Sequence, residues 1–172
     1  MNPALAHIFH RRSIRRFKPD PIPEPLIHDL LEAAMAAPSA RACDPWRFVV
    51  LRDKIIREAI ASGLPYGKML AHAPVGFAVC GDLKAAHDQQ LSYLIQDCSA
   101  AIENLLLAAD ILGLGTCWLG VHPREERIAH VRTTLALPEG ILPISVIAVG
   151  WPAESPEPRT RFDSAKVHFD RW

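Results

Sequence analysis

The sequence predicts a mixed fold, α+β or α/β, in which a small sheet is flanked by helices. Two observations predict it. Three apolar runs, Arg47-Phe48-Val49-Val50-Leu51, Val75-Gly76-Phe77-Ala78-Val79-Cys80 and Ile144 to Val149, have the length and residue types of strands. The second run is apolar on both faces, as a central strand is. Around these runs lie segments whose apolar residues recur at three- and four-residue steps, the longest from about Leu91 to Leu112. At 172 residues the chain fits one domain with a sizeable core, and no repeat, low-complexity tract or linker divides it, so residues 1–172 are expected as a single domain.

The elements follow in chain order. Leu5, Ile8 and Phe9 share one face of a short helix over Ala4 to Arg12. Lys18 to Pro25 holds four prolines and reads as an extended connector. Pro25 suits the first turn of a helix reaching about Ala37, with Leu26, Ile27, Leu30, Leu31 and Ala34 as its stripe and Pro38 as its stop. Asp53 is placed to cap a helix over Lys54 to Ser62. In the long helix, Leu91, Leu94, Ile95, Cys98, Ile102, Leu105, Leu106 and Ala109 cover a wide arc, which puts it at the core or against another subunit; Gly113 stops it. Thr116 to Gly120 reads as a short strand and Pro123 to Leu135 as a further helix. From Trp151 the chain becomes a proline-rich tail ending Val167-His168-Phe169-Asp170-Arg171-Trp172. It cannot bury itself and is expected to wrap the body or reach a neighbouring subunit.

Composition narrows the function. Lys+Arg and Asp+Glu are both 19, so nothing draws the whole chain to nucleic acid or to an anionic membrane, and neither partner is expected. No apolar run is long enough to span a bilayer, and the first residues lack a secretory pattern, so a cytoplasmic location is expected. Cys43, Cys80, Cys98 and Cys117 are widely spaced and the histidines show no ligand spacing; reduced thiols and no metal site are the expectation.

On this neutral chain the basic residues are concentrated by position. Arg11-Arg12-Ser13-Ile14-Arg15-Arg16-Phe17 follows a helix, and in an extended stretch Arg11, Ser13 and Arg15 turn the same way. Guanidinium forks and a hydroxyl suit a phosphate, although the cluster alone is equally a solvated face. Arg16 has no role and is read as solvated. Pro158-Arg159-Thr160-Arg161-Phe162 repeats the pattern far along the chain, and its two arginines could complete the same phosphate site. Ala36 to Trp46 is a small-residue loop that lets a flat ligand approach backbone N–H groups, with Trp46 either a pocket wall or a core anchor. Gly113-Leu114-Gly115-Thr116-Cys117-Trp118-Leu119-Gly120 follows a helix instead of opening one, which rejects a dinucleotide or P-loop reading; Cys117 is read as a buried thiol, not a nucleophile.

Taken in order, RRSIRRF, APSARACDPWRFVV, the long helix ending GLGTCWLG, ISVIAVGWP and PRTRF resemble the nitroreductase family of FMN-dependent oxidoreductases over essentially the whole chain. The resemblance implies an α+β three-layer sandwich with a small, mostly antiparallel sheet. It implies an intertwined homodimer, with FMN at the subunit interface and the tail 151–172 packed on the partner. It places Arg11, Arg12 and Ser13 on the phosphate and ribityl end of FMN, Arg15 at the ring edge, and Arg159 and Arg161 closing on the phosphate. Pro38, Ser39 and Ala40 would line the ring from the other subunit, Leu119 and Gly120 would approach it through the backbone, and Lys68 would supply a second cation. Hydride would come from NADH or NADPH and pass in a ping-pong cycle to a nitroaromatic, quinone or related small-molecule acceptor. The scheme requires no catalytic side chain. Alternatives are an FMN-dependent reductive dehalogenase or dehydrogenase, or a flavin-storage protein. Where the family pattern has Asn and Gln, this chain has Ala42 and Asp44, and Asp44 would add charge near the pocket unless Arg41 or Arg47 pairs with it.

Overall fold

In the computed structural model, which describes residues 2–172, four strands make one sheet. They are β1 (Trp46–Leu51), β2 (Val75–Asp82), β3 (Gly115–Gly120) and β4 (Ile141–Gly150), in the order β1-β2-β4-β3, and every neighbouring pair is antiparallel. That pairing decides for α+β. The helices are α1 (Ala6–His10), α2 (Glu24–Met35), α3 (Lys54–Ser62), α4 (Lys68–His72), α5 (Leu91–Ile111) and α6 (Glu125–Thr134).

Alternation along the strands sorts the helices into layers. Phe77 and Val79 of β2, with Ile147 and Val149 of β4, face a core built with Leu30 and Ala34 of α2 and Leu94, Ile102 and Leu105 of α5. Ala78 and Cys80, with Val146 and Ala148, face the opposite core, which holds Ile60 of α3, Leu70 of α4 and Val131 of α6. The result is helices, sheet, helices: a three-layer sandwich. As expected, β2 is an inner strand and is buried on both faces. The apolar arc of α5 is largely spent within this chain, since seven of its apolar residues are buried in the core with α2 and the sheet.

Boundaries moved for local reasons. β4 begins at Ile141, not Ile144, because a bulge opposite Val79/Cys80 takes up an extra residue next to Pro143 and lets the proline sit in the strand. Ile144 is that extra residue, and its side chain joins the α5 core although its even-numbered neighbours Val146 and Ala148 face the other way. Asp53 caps α3, its carboxylate accepting from the Ile55 N–H at 2.7 Å. The sequence gives no sign of α4, which is five residues long. No helix among the described residues is long and apolar enough to cross a membrane.

Candidate functional site

The N-terminal segment is positioned by the edge of β3. After α1 the chain runs extended. Ser13 forms a parallel bridge with Thr116, and the Ile14 N–H donates to the Thr116 carbonyl at 2.8 Å. Ile14 turns inward and is buried, and Gly115 makes room for it: a Cβ at 115 would lie 2.8 Å from the Ile14 side chain. Alternation then sends Ser13 and Arg15 outward. The start of the tail doubles back along this segment. Lys18 N–H donates to the Trp151 carbonyl (2.8 Å), Ala153 N–H to the Arg16 carbonyl (2.9 Å) and Arg159 N–H to the Phe9 carbonyl (3.1 Å). Residues 151–159 thus lie on their own chain, while every residue from 157 to 172 is exposed.

This double run brings the two arginine motifs together. Arg11, Arg12, Ser13, Arg15, Arg159 and Arg161 line one concavity of about 360 Å³ that has no carboxylate in its wall. Arg12 donates through Nη1 to the Glu157 carbonyl, which ties the two halves. The buried Nε of Arg11 lies 3.3 Å from a carboxylate oxygen of Glu103 but makes no hydrogen bond.

Glu154 is the clasp. Its Oε1 accepts from the backbone N–H of Arg15 (2.5 Å) and of Arg16 (3.1 Å), and its Oε2 accepts from Arg16 Nε at 3.1 Å. The Arg15 N–H chiefly holds this carboxyl below its usual range; desolvation opposes it, and the Arg16 side chain and backbone add to the lowering. Arg16 is solvated as expected, its side chain 74% exposed, and it adds an ion pair with Glu154 that its sequence context does not announce.

Beside the cradle lies a cleft of about 620 Å³, lined by Arg15, Tyr66, Lys68, Cys117, Trp118 and Leu119 among others. Arg15 borders both spaces. Lys68 opens α4, so that helix is what carries the second cation to the cleft. Gly120 ends β3 with nothing within 4 Å of where a Cβ would stand, and its carbonyl accepts from Arg127 Nη1 at 2.9 Å. Tyr66 and Trp118, 80% and 39% exposed, form aromatic walls to which no sequence spacing points. Their sequence signal is faint, because an aromatic next to a strand more often belongs to a core. Burial pushes the Cys117 thiol up, with Arg15 partly opposing, which agrees with an inert thiol; Cys80 and Cys98 are pushed to about 12 by burial.

Pro38, Ser39 and Ala40 line neither space and sit in the turn between α2 and β1. Within one subunit the structure does not bring them to the arginines. Ser39 Oγ donates to Asp44 Oδ1 at 2.5 Å and accepts from the Asp44 N–H at 3.0 Å. Asp44 is thus held by Ser39, while the Arg47 guanidinium pairs with Asp82 at 3.0 Å and reaches only the Asp44 carbonyl at 3.3 Å, so of the two arginines that could neutralise the Asp44 carboxylate Arg47 does not. Trp46, 6% exposed, belongs to the core with α2 and α5, which settles it as a core anchor.

A two-sided sandwich with an arginine cradle opening into an aromatic cleft defines a class of small-ligand-binding α+β protein, and comparison with known proteins gives it a family. The model of the nitroreductase family matches residues 8–67 and 57–151. The chain is 43% identical, over 98% of its length and 87% of the relative's, to a Methanothermobacter thermautotrophicus protein provisionally named NADH dehydrogenase/NAD(P)H nitroreductase. A Bacteroides thetaiotaomicron crystal structure with the same provisional name superposes with a TM-score of 0.93 at 40% identity, covering 100% of this chain and 99% of that one. A Desulfovibrio desulfuricans structure, provisionally a nitroreductase and in complex with FMN, superposes with a TM-score of 0.85 at 32% identity, covering 100% and 99%. The chain belongs to the nitroreductase family.

Proposed function

We propose that the protein is an FMN-dependent oxidoreductase that takes hydride from NADH or NADPH and reduces a nitroaromatic, quinone or related small acceptor in a ping-pong cycle. The observation that carries this reading is Arg15, which borders both the arginine cradle and the aromatic cleft. One elongated ligand with an anionic end and a flat apolar end fits that pair of spaces. The donor set suits FMN: five guanidiniums and a hydroxyl line a wall free of carboxylates.

In this reading Arg11, Arg12, Ser13, Arg159 and Arg161 bind the phosphate and ribityl end. Arg15 presents a permanent positive charge at the junction, where it favours negative charge on the reduced ring, and Lys68 adds a second cation. Leu119 and Gly120 offer backbone at an open strand end. Bound FMN would supply the hydride-accepting chemistry, and the protein would bind, orient and tune it. No side-chain acid or base is assigned.

The site is completed by a second subunit, whose Pro38, Ser39 and Ala40 would line the ring. Phe162, Phe169 and Trp172, 78%, 86% and 101% exposed, support a homodimer in which residues 160–172 pack on the partner. Ala42 and Asp44 alter the polar contacts of that turn and bear on the choice of acceptor.

The test is direct. Purified protein should carry or take up FMN with its yellow absorption, and anaerobic NADH or NADPH should bleach it. Replacing both Arg11 and Arg15 by Ala should weaken FMN binding about 10- to 100-fold, the worth of one or two charge-assisted bonds. Failure of the wild-type protein to bind FMN would overturn the assignment.

A further inference from the structure

The turn expected to meet the flavin is under conformational strain. Arg41, Ala42 and Asp44 have φ of 56°, 53° and 47°, and none is the glycine or asparagine that adopts the left-handed region most readily. Its internal bonds run from the Ala42 N–H to the Ser39 carbonyl (3.1 Å), from the Cys43 N–H to the Ala40 carbonyl (3.2 Å), and between Ser39 and Asp44. All of these would travel with the turn if it shifted. Among the described residues, two hydrogen bonds tie the turn to other elements: at its end the Asp44 carbonyl accepts from Arg47 Nη1 of β1 at 3.3 Å, and within 38–43 the Ala40 N–H donates to Asp97 Oδ1 of α5 at 2.9 Å.

Asp97 is an odd occupant of its place. It is 5% exposed, lies beside buried Leu94, Cys98 and Ala101, and its Oδ2 is buried without a hydrogen-bond partner. A carboxylate that satisfies one N–H and leaves an oxygen orphaned costs more than an apolar side chain would at the same site. Packing alone does not account for it.

We infer that Asp97 is a positioning residue, fixing the Pro38-Ser39-Ala40 turn from inside α5 so that it meets the flavin in one shape. The inference rests on the reading that this turn lines FMN. The carboxylate's hydrogen bond goes to the turn's backbone, so it acts on the cofactor through the register of Ala40 and not by contact. A strained turn needs such an outside anchor, because its own bonds do not say where it sits relative to the sandwich.

The experiment measures FMN affinity by equilibrium dialysis and melting temperature together, in four variants of the full chain. Asp97→Ala should weaken FMN binding about tenfold or more, the worth of one hydrogen bond to a charged group. Asp97→Asn keeps an acceptor for the Ala40 N–H and should stay within about threefold of wild type. Ala40→Pro removes the donor, leaves the carboxylate, and should weaken binding as Asp97→Ala does, so the inference remains testable if Asp97→Ala fails to fold. Cys98→Ala, the next residue on the helix, whose thiol points to the Cys80 carbonyl 3.7 Å away, should lower the melting temperature without loosening FMN. Wild-type affinity in Asp97→Ala, equal losses in Asp97→Asn and Asp97→Ala, or a matching FMN loss in Cys98→Ala would overturn the inference. A wild-type protein that binds no FMN would instead overturn the proposed function.

Discussion

Glu154 concentrates more organisation than any other exposed-face residue of the site: one carboxylate receives two backbone N–H groups and one guanidinium and so sets the direction of Arg15. Because its folded pKa lies below the unfolded value, its stabilisation is complete above the ordinary carboxyl range, near pH 4.3 and up, and is lost as pH falls through the lower folded value. Glu154→Gln should therefore lower the melting temperature at pH 7 by about 2–6 °C, from about 1–2 kcal/mol of lost charge-assisted bonding. The gap from wild type should narrow as pH falls through the lowered folded value, where Glu154 becomes neutral as Gln is; a gap independent of pH would contradict this account. At this scale the sequence was legible where spacing carries chemistry. Arg11, Ser13 and Arg15 announce a shared direction, and so do Arg159 and Arg161. Glu154, Tyr66 and Asp97 were not legible, because a single acid or aromatic has no periodicity and gains its meaning only from what folding places beside it.

Among the elements, β3 is the scaffold of the site. It fixes the arginine segment along its edge, walls the cleft with Trp118 and Leu119, and ends at Gly120. The first of these tasks depends on the absence of a side chain at Gly115. Gly115→Ala should push Ile14 outward, cost about 1–3 kcal/mol as overpacking does, and loosen FMN with it. Gly120→Ala meets nothing within 4 Å and should change the melting temperature far less. Thermal unfolding of the two variants side by side checks this; equal losses would count against it. The strands, α2, α3 and α5 were readable from apolar periodicity to within a few residues. What escaped was short or irregular. α4 has too few residues for a period to show, and the bulge in β4 answers to its pairing with β2 and not to its own sequence.

On the scale of the whole molecule, the sandwich needs little of the tail: no fully buried hydrophobic residue lies beyond Val149, and past it Trp151, half-buried, packs on the core. Deleting residues 160–172 should leave the melting temperature within about 2–4 °C of wild type, since it removes under about 1 kcal/mol of core. It should also weaken FMN binding about tenfold through loss of Arg161, and shift the sedimenting species toward the single chain. A truncated protein that keeps both its FMN affinity and its assembly would refute the role given to the tail. The class of fold was readable from the sequence because strand runs and helical stripes are local patterns. The dimensions of the site were not, because its two halves are joined only by the return of residues 151–159 along 9–18. That return has a consequence for biosynthesis. Residues 11–15 leave the ribosome early, but the cradle waits for Arg159 and Arg161. On the proposed function, a nascent chain holds half an anion site, and cofactor loading is deferred until the sandwich behind it has been made.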